Sequence, residues 1–280
     1  MADRVVLQKL LTVDLSEGIL GRGCDWVGGF VIDASGTGML GSGELLAAYG
    51  FDDDPPYVDV VRFPVPVCAS LKTTQDFTGS PERPWPTYPH GFLRPVRDTV
   101  IPVYELGLTR WPVNSECWRI KPDATQDLVS FYRGVALGWH GAREWRPASP
   151  WYGLRARWRD GYYAADVLGG LVELVSFEDP GSAQWVSSRP RTWSRRVPVS
   201  ECMLHELLCT ATWRGVAVRV AEINGNAARV RMTGSDPAQA GVIGATMVDQ
   251  GVFENPNAPV SELLDIQYFS NELAPTASQG

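Results

Sequence analysis

The feature that most constrains what this chain can fold into is that part of it is written twice. Residues 154–167 read LRARWRDGYYAADV and residues 209–221 read CTATWRGVAVRVA, which aligns Ala156, Trp158, Arg159 and Gly161 with Ala211, Trp213, Arg214 and Gly215. A second anchor aligns the Pro-Val-Ser-Glu run ending at Glu201 with the one ending at Glu262. The anchors are offset by 55 and 61 residues, so the copies are tandem units of similar length, and a repeat of this period implies one supersecondary plan used twice. Within each copy the apolar residues alternate with period two, as in half-buried strands. Leu154, Ala156 and Trp158 are followed, across Asp160-Gly161, by Tyr163, Ala165 and Val167. That is a hairpin signal, because Gly tolerates positive φ in the turn. A third strand is expected over 171–177, with a turn over 178–181. Copy two repeats the plan with Asn224-Gly225 as the turn between strands 216–223 and 227–232, and another turn over 234–237.

Composition agrees with a β-rich globular protein. The 280 residues are 44% hydrophobic and 20% charged, which excludes wholesale disorder. Gly 28 and Pro 21 favour short strands and many turns over a helical bundle. No apolar run approaches 18 residues, and the N-terminus is interrupted by Arg4, Gln8 and Lys9 without a small-residue cleavage site; a cytoplasmic protein without a membrane partner is expected. Five cysteines, Cys24, Cys68, Cys117, Cys202 and Cys209, are odd in number and irregularly spaced, which fits reduced thiols. The basic residues are 22 Arg against 3 Lys, a bias expected of a GC-rich bacterial genome.

The net charge is −7, split as −5 over residues 1–100, +3 over 101–200 and −5 over 201–280. The basic middle holds Arg143, Arg146, Arg155, Arg157 and Arg159, then Arg189, Arg191, Arg195 and Arg196, interleaved with Trp145, Trp151, Trp158, Trp185 and Trp193. Guanidinium beside aromatic surface suits a single-stranded nucleic acid, with Arg155 and Arg157 as the contacts. The same pattern is also that of a protein-interface hot spot, and a local excess of three charges in an acidic protein favours the latter.

The order Ala-x-Trp, Asp-Gly, Tyr with Ala two residues on, a strand ending in Phe177, a Gly turn and the closing Ser200-Glu201 with Leu204 resembles the Tudor family of SH3-like barrels. The resemblance covers 151–205 well and 206–268 more weakly, and does not reach the first 150 residues. It implies an aromatic cage for a methylated Arg or Lys, and places Trp158, Tyr163 and Phe177 at three cage positions. The fourth falls on Pro180, which departs from the pattern. In copy two only Trp213 matches, the other places being residues such as Val218 and Met232, so no working cage is implied there. Trp158 and Tyr163 serve equally well as packing aromatics of a small barrel.

The N-terminal half points in several directions. Gly36, Gly38 and Gly41 match G-x-G-x-x-G after the apolar run 30–32 and before a short helix over 42–49, with Asp59 eighteen residues on. The first Gly sits four residues past the strand and the helix has barely two turns, so a capped helix after a Gly-rich loop is expected in place of a dinucleotide site. Eleven prolines fall between Pro55 and Pro112, which rules out a run of central strands there and suggests an extended arm or a long loop over a pocket. Strands are expected at 100–106 and 117–120, and a strand or short helix at 127–132.

Few residues offer chemistry. Cys202, His205 and Cys209 have soft-ligand character within eight residues. On a strand, however, Cys202 points away from the other two and no second Cys or His pair stands at metal spacing, so no metal is expected. There is no G-x-S-x-G elbow and no P-loop. His90 with Arg94 and Glu105 is the one cluster in which a base, a cation and a carboxylate could meet, together with Arg62. The expectation is a mainly β chain: an α+β or β N-terminal domain over 1–150, two tandem SH3/Tudor-like barrels over 151–205 and 206–268, and a tail over 269–280. Its expected function is non-catalytic protein recognition, as a scaffold or an inhibitor of the immunity type, without a cofactor. The alternatives are an enzyme with an N-terminal nucleotide or small-molecule pocket, and nucleic-acid binding through the Arg/Trp face of the first barrel.

Overall fold

Alternating apolar residues need a sheet with a covered face, and the chain builds two such sheets. The computed structural model describes residues 5–67, 70–73, 91–97 and 99–272; it is mainly β, with 51% strand and 13% helix. The first sheet uses β1 (Val6–Leu10), β2 (Trp26–Asp33), β3 (Val58–Pro64), β4 (Leu71–Thr73), β5 (Val103–Arg110), β6 (Glu116–Ile120) and β7 (Gln126–Phe131). Their order is β4-β5-β2-β1-β3-β6-β7, with antiparallel neighbours throughout. Strands β3 and β5 are interior strands although both lie in the proline-rich stretch 55–112, contrary to expectation, because the prolines fall at the strand ends: Pro64 closes β3, and Pro102 and Pro112 flank β5.

One helix covers each face. Helix α1 (Val13–Arg22) starts because the Thr12 hydroxyl accepts from the Leu15 N–H, and ends at Gly23, whose φ of 63° lets its N–H reach the Gly18 carbonyl. It packs Leu15 and Ile19 on Leu7, Val31, Phe63 and Trp111. Helix α2 (Ser42–Ala48) packs Leu45 and Leu46 on Phe30, Ile32, Val60 and Val103 on the other side. Glycine-rich residues 36–41 thus lead into α2, as expected, but within an antiparallel sheet that lacks the parallel βαβ crevice a dinucleotide needs. Asp59 is not free either, since Arg119 grips it through two hydrogen bonds of 2.8 and 3.0 Å and Ser16 Oγ donates at 2.6 Å.

The second sheet carries the repeat. Strands β8 (Tyr152–Trp158), β9 (Gly161–Leu168) and β10 (Leu171–Ser176) form a meander; β11 (Val186–Arg189) and β12 (Thr192–Pro198) form a hairpin, with β12 adding to β10. A 3-10 turn, Val199–Glu201, then feeds β13 (Met203–Trp213), whose first half returns to pair with β8. The second half of β13 starts the plan again with β14 (Val216–Asn224) and β15 (Ala227–Met232). After the short helix α3 (Pro237–Val242), β16 (Thr246–Asp249) and β17 (Val252–Pro259) form the matching hairpin on β15. A second 3-10 turn, Val260–Glu262, leads to β18 (Leu264–Glu272), which returns to β13. The first hairpin loop is Arg159-Asp160 and not Asp160-Gly161, because Gly161 already pairs with Trp158 and the positive φ, 54°, falls on Arg159.

Each unit has its own core, and the repeated residues build it. Leu154, Ala156, Trp158, Val172, Leu174 and Leu204 cluster in the first; Ala211, Trp213, Val218, Val230, Phe253 and Leu263 cluster in the second. The two sequence anchors meet inside each unit: Trp158 Nε1 donates to Glu201 Oε2 at 3.2 Å, and Trp213 Nε1 to Glu262 Oε2 at 2.8 Å. Proline makes this possible, because Pro198 and Pro259, at φ of −58° and −63°, end the strand and start the 3-10 turn that carries the glutamate back.

The sheets are joined by buried polar contacts. Lys9 Nζ lies 2.7 Å from Asp249 Oδ2, both side chains fully inaccessible. Phe30 N–H donates to Gln250 O at 3.1 Å. Arg110, buried at the end of β5, donates to the carbonyls of Leu154 and Ala165 at 2.7 and 3.0 Å. No helix among the described residues is long and apolar enough to cross a membrane.

Candidate functional site

The three aromatics placed at cage positions do not converge. Trp158 is 5% exposed, within the first core, and the faces of its ring carry Arg159 at 4.2 Å and Arg195 at 4.5 Å. Tyr163 is half-buried against Trp185, 5.1 Å between centroids. Phe177 belongs to a different cluster, with Val135, Ala148 and Val175, and leans on Trp145. The spacing on β8 and β9 put Trp158 and Tyr163 on the side that became core, which leaves no open box for a cation.

The Arg/Trp face is divided as well. Arg157 is exposed, but Arg155 is buried, with its guanidinium donating to the Leu154 carbonyl at 3.1 Å and to the Ser149 carbonyl. Burial, reinforced by Arg110, pushes its pKa down to about 9. The cause is that the N-terminal unit packs on the outer face of β8, so a residue that alternation places outward is inside the assembly. Arg155 cannot reach a phosphate.

Cys202 packs against the first core and Cys209 lies in the second. His205 stands on β13 between them, near the Tyr162 ring at 6.0 Å, with both ring nitrogens buried and without partners. Among the described residues no three His, Cys, Asp or Glu side chains gather as metal ligands. Of the enzyme cluster, His90 lies outside the described residues. Arg94 bonds through its backbone N–H to Ala48 O beside the end of α2, whereas Glu105 stands opposite Lys72 across β4 and β5. Arg62 is held by Gln8 and Gln126 at 2.9 and 2.7 Å, on the network that pins the 36–41 loop through Thr37 and Gly38.

Two other places carry unsatisfied capacity. The first is β18. It pairs with β13 alone, and among the described residues no strand lies along its other edge. Leu264 is 60% exposed and Tyr268 57%, with Ile266 and Phe269 also exposed. In the first unit the corresponding strand, the first half of β13, is flanked on both sides: His205 pairs with Arg155 of β8 and with Glu272 of β18. Strands β8, β13 and β18 thus form an antiparallel series whose last member is uncovered. The sequence signal is present in Leu264, Ile266 and Tyr268, apolar at period two, but β18 runs to Glu272, past the boundary expected at 269 between barrel and tail.

The second is a cavity of about 80 Å³ between the sheets, lined by Trp26, Lys72, Glu105, Arg219, Arg231 and Thr233, with much of the remaining wall glycine. Its arginines come from β14 and β15 and are brought to Trp26 only by the docking of the two sheets. No family model, curated protein or solved structure matches this chain.

Proposed function

We propose that the protein is a non-catalytic recognition protein that takes up an extended, basic segment of a protein partner along the open edge of β18. The observation that carries this reading is the uncovered nine-residue strand with four large apolar side chains in solvent. An edge of this kind presents a row of unpaired N–H and C=O groups. Natural proteins usually blunt such edges with lysine, proline or bulges; β18 has neither lysine nor proline, and its one bulge lies at its start, between Leu264 and Gln267 with Asp265 at a φ of 50°, which leaves 267–272 regular. Strand addition would supply main-chain hydrogen bonds, and the alternate side chains would supply selectivity. The charge sign of the segment follows from residues 201–280, which carry four basic and nine acidic side chains, Asp265 and Glu272 among them on the strand itself. The element-by-element repetition, with its 3-10 turn before each fifth strand, supports the Tudor/SH3-like reading of both units, used here as paired scaffolds without an aromatic cage.

The test is capture of a partner from host extract by the full chain, followed by hydrogen exchange on the isolated complex. Protection of the 264–272 amides in the complex, and at least tenfold weaker binding by an Ile266→Lys/Tyr268→Lys variant, are expected. A complex that leaves those amides exchanging as in the free protein removes β18 as the site; retention of no protein at all removes recognition as the function.

A further inference from the structure

We propose that the cavity between the two sheets is a binding site for a small oxyanion, a phosphate or carboxylate group held by Arg219 and Arg231. The register of β14 and β15 sets Arg219 directly opposite Arg231, and like charges facing each other across a strand pair repel. Their neighbours Val218, Val220, Val230 and Met232 point into the core of the second unit, so both arginines occupy the outer face, which the N-terminal sheet covers. Arg231 is 5% exposed and lies 3.7 Å over the Trp26 ring. Its Nε is bound to Glu254 at 2.8 Å, while Nη1 is buried without a partner. Arg219 is half-buried, and its side chain makes no hydrogen bond or close ion pair among the described residues, with Glu206 acting on it at longer range.

Of the two, Arg231 is the compensated one, its charge met by Glu254 and, at longer range, by Asp25 and Asp249. Lys72 and Glu105 stand opposite each other across β4 and β5, so they offset one another. Glu254 serves Arg229 as well as Arg231. Glu206, the acid nearest Arg219 in electrostatic terms, is pushed up by burial to about 7 and so is only partly ionised at neutral pH. Arg219, whose nearest acid is only partly ionised, and Arg231 together therefore line a cavity of about 80 Å³, room for a group of phosphate or carboxylate size. Paired arginines match the planar, multidentate demand of such an oxyanion, and a desolvated cavity strengthens the attraction.

The experiment is thermal unfolding of the full chain titrated with inorganic phosphate, and separately with acetate, against chloride at constant ionic strength. A saturable rise is expected, about 5 °C at a hundredfold excess over Kd; the better of the two probes identifies the ligand's head group. Arg219→Gln should weaken the response at least tenfold while leaving the ligand-free Tm unchanged or higher, because it removes the facing charge. Arg219→Lys should retain part of the response. A rise that does not saturate, that chloride reproduces, or that survives in Arg219→Gln overturns the site, as does an Arg219→Gln protein that loses stability without ligand.

Discussion

Replacing Asp249 by Asn tests whether the two sheets are held by charge or only by shape. The Lys9 ammonium has three neighbours: the Asp249 carboxylate at 2.7 Å and the Phe30 and Gln250 carbonyls at 3.1 and 3.5 Å. Asn leaves the carbonyls and removes the one opposite charge paired with Lys9 among the described residues, at a fully inaccessible position. Stranding a buried charge in this way typically costs about 3–5 kcal/mol, because the partner left behind is neither solvated nor neutralised. Replacing both partners, as Lys9→Met with Asp249→Leu, removes the stranded charge and should restore most of the loss, a coupling of about 3 kcal/mol. Urea denaturation followed by Trp fluorescence gives both quantities. An Asp249→Asn protein within about 1 kcal/mol of the parent, or a double variant no more stable than the single one, would refute the reasoning.

Three further outcomes are expected. Gly29→Ala places a Cβ 2.4 Å from Gln250 O at φ +76° and should cost more than 3 kcal/mol by urea titration, whereas Gly215→Ala, at φ +78° in open space, should cost only about 1; equal losses would mean that the junction yields freely. Trp158→Phe and Trp213→Phe each remove an indole donor to a glutamate and should cost about 2–4 kcal/mol apiece; a loss at one site alone breaks the equivalence of the units. Burial pushes the Asp166 carboxyl up to about 6, with Arg110 opposing. Its contribution to stability is therefore fully present below about pH 4 and lost as pH rises through 6, about 3 kcal/mol in all, and Asp166→Asn should lack that fall.

What was legible in the chain was local or repeated. Asn224-Gly225 marked the β14–β15 hairpin to within one residue: Asn224 already pairs with Ala227, so the loop is Gly225-Asn226, with the positive φ of 58° on Gly225. The twin anchors marked the repeat because Trp158 and Glu201 bond across their unit, as Trp213 and Glu262 do across theirs, so both ends of the bond persist in both copies. Helix α1 was not read, since Gly18 and Gly21 interrupt it and its stability comes from Leu15 and Ile19 packing on the first sheet. The Lys9–Asp249 pair is separated by nearly the whole chain, and neither residue carries a local sign of its partner. Alternation told correctly which residues share a face. It does not tell which face stays wet, and for that reason Trp158 reads in the sequence as a cage wall and Arg155 as a phosphate contact although both are buried.

That last ambiguity has an experimental consequence. Arg155, Arg219 and Arg231 all sit on outer faces of the repeat strands, where a free-standing pair of modules would present them to solvent. In the intact chain Arg155 is instead sealed against the Leu154 and Ser149 carbonyls, and Arg231, covered by Trp26 and held by Glu254, meets only the enclosed cavity between the sheets. A fragment of residues 151–280 loses Trp26, Lys9 and Arg110, and with them the cover. It is expected to retain polyanions at low salt, with affinity falling steeply as salt rises, while the full chain does not. Such binding would report the severed interface and not an activity, and parallel retention assays on fragment and full chain separate the two. Equal salt-dependent retention by both would instead restore the exposed Arg157 and its neighbours as a nucleic-acid face.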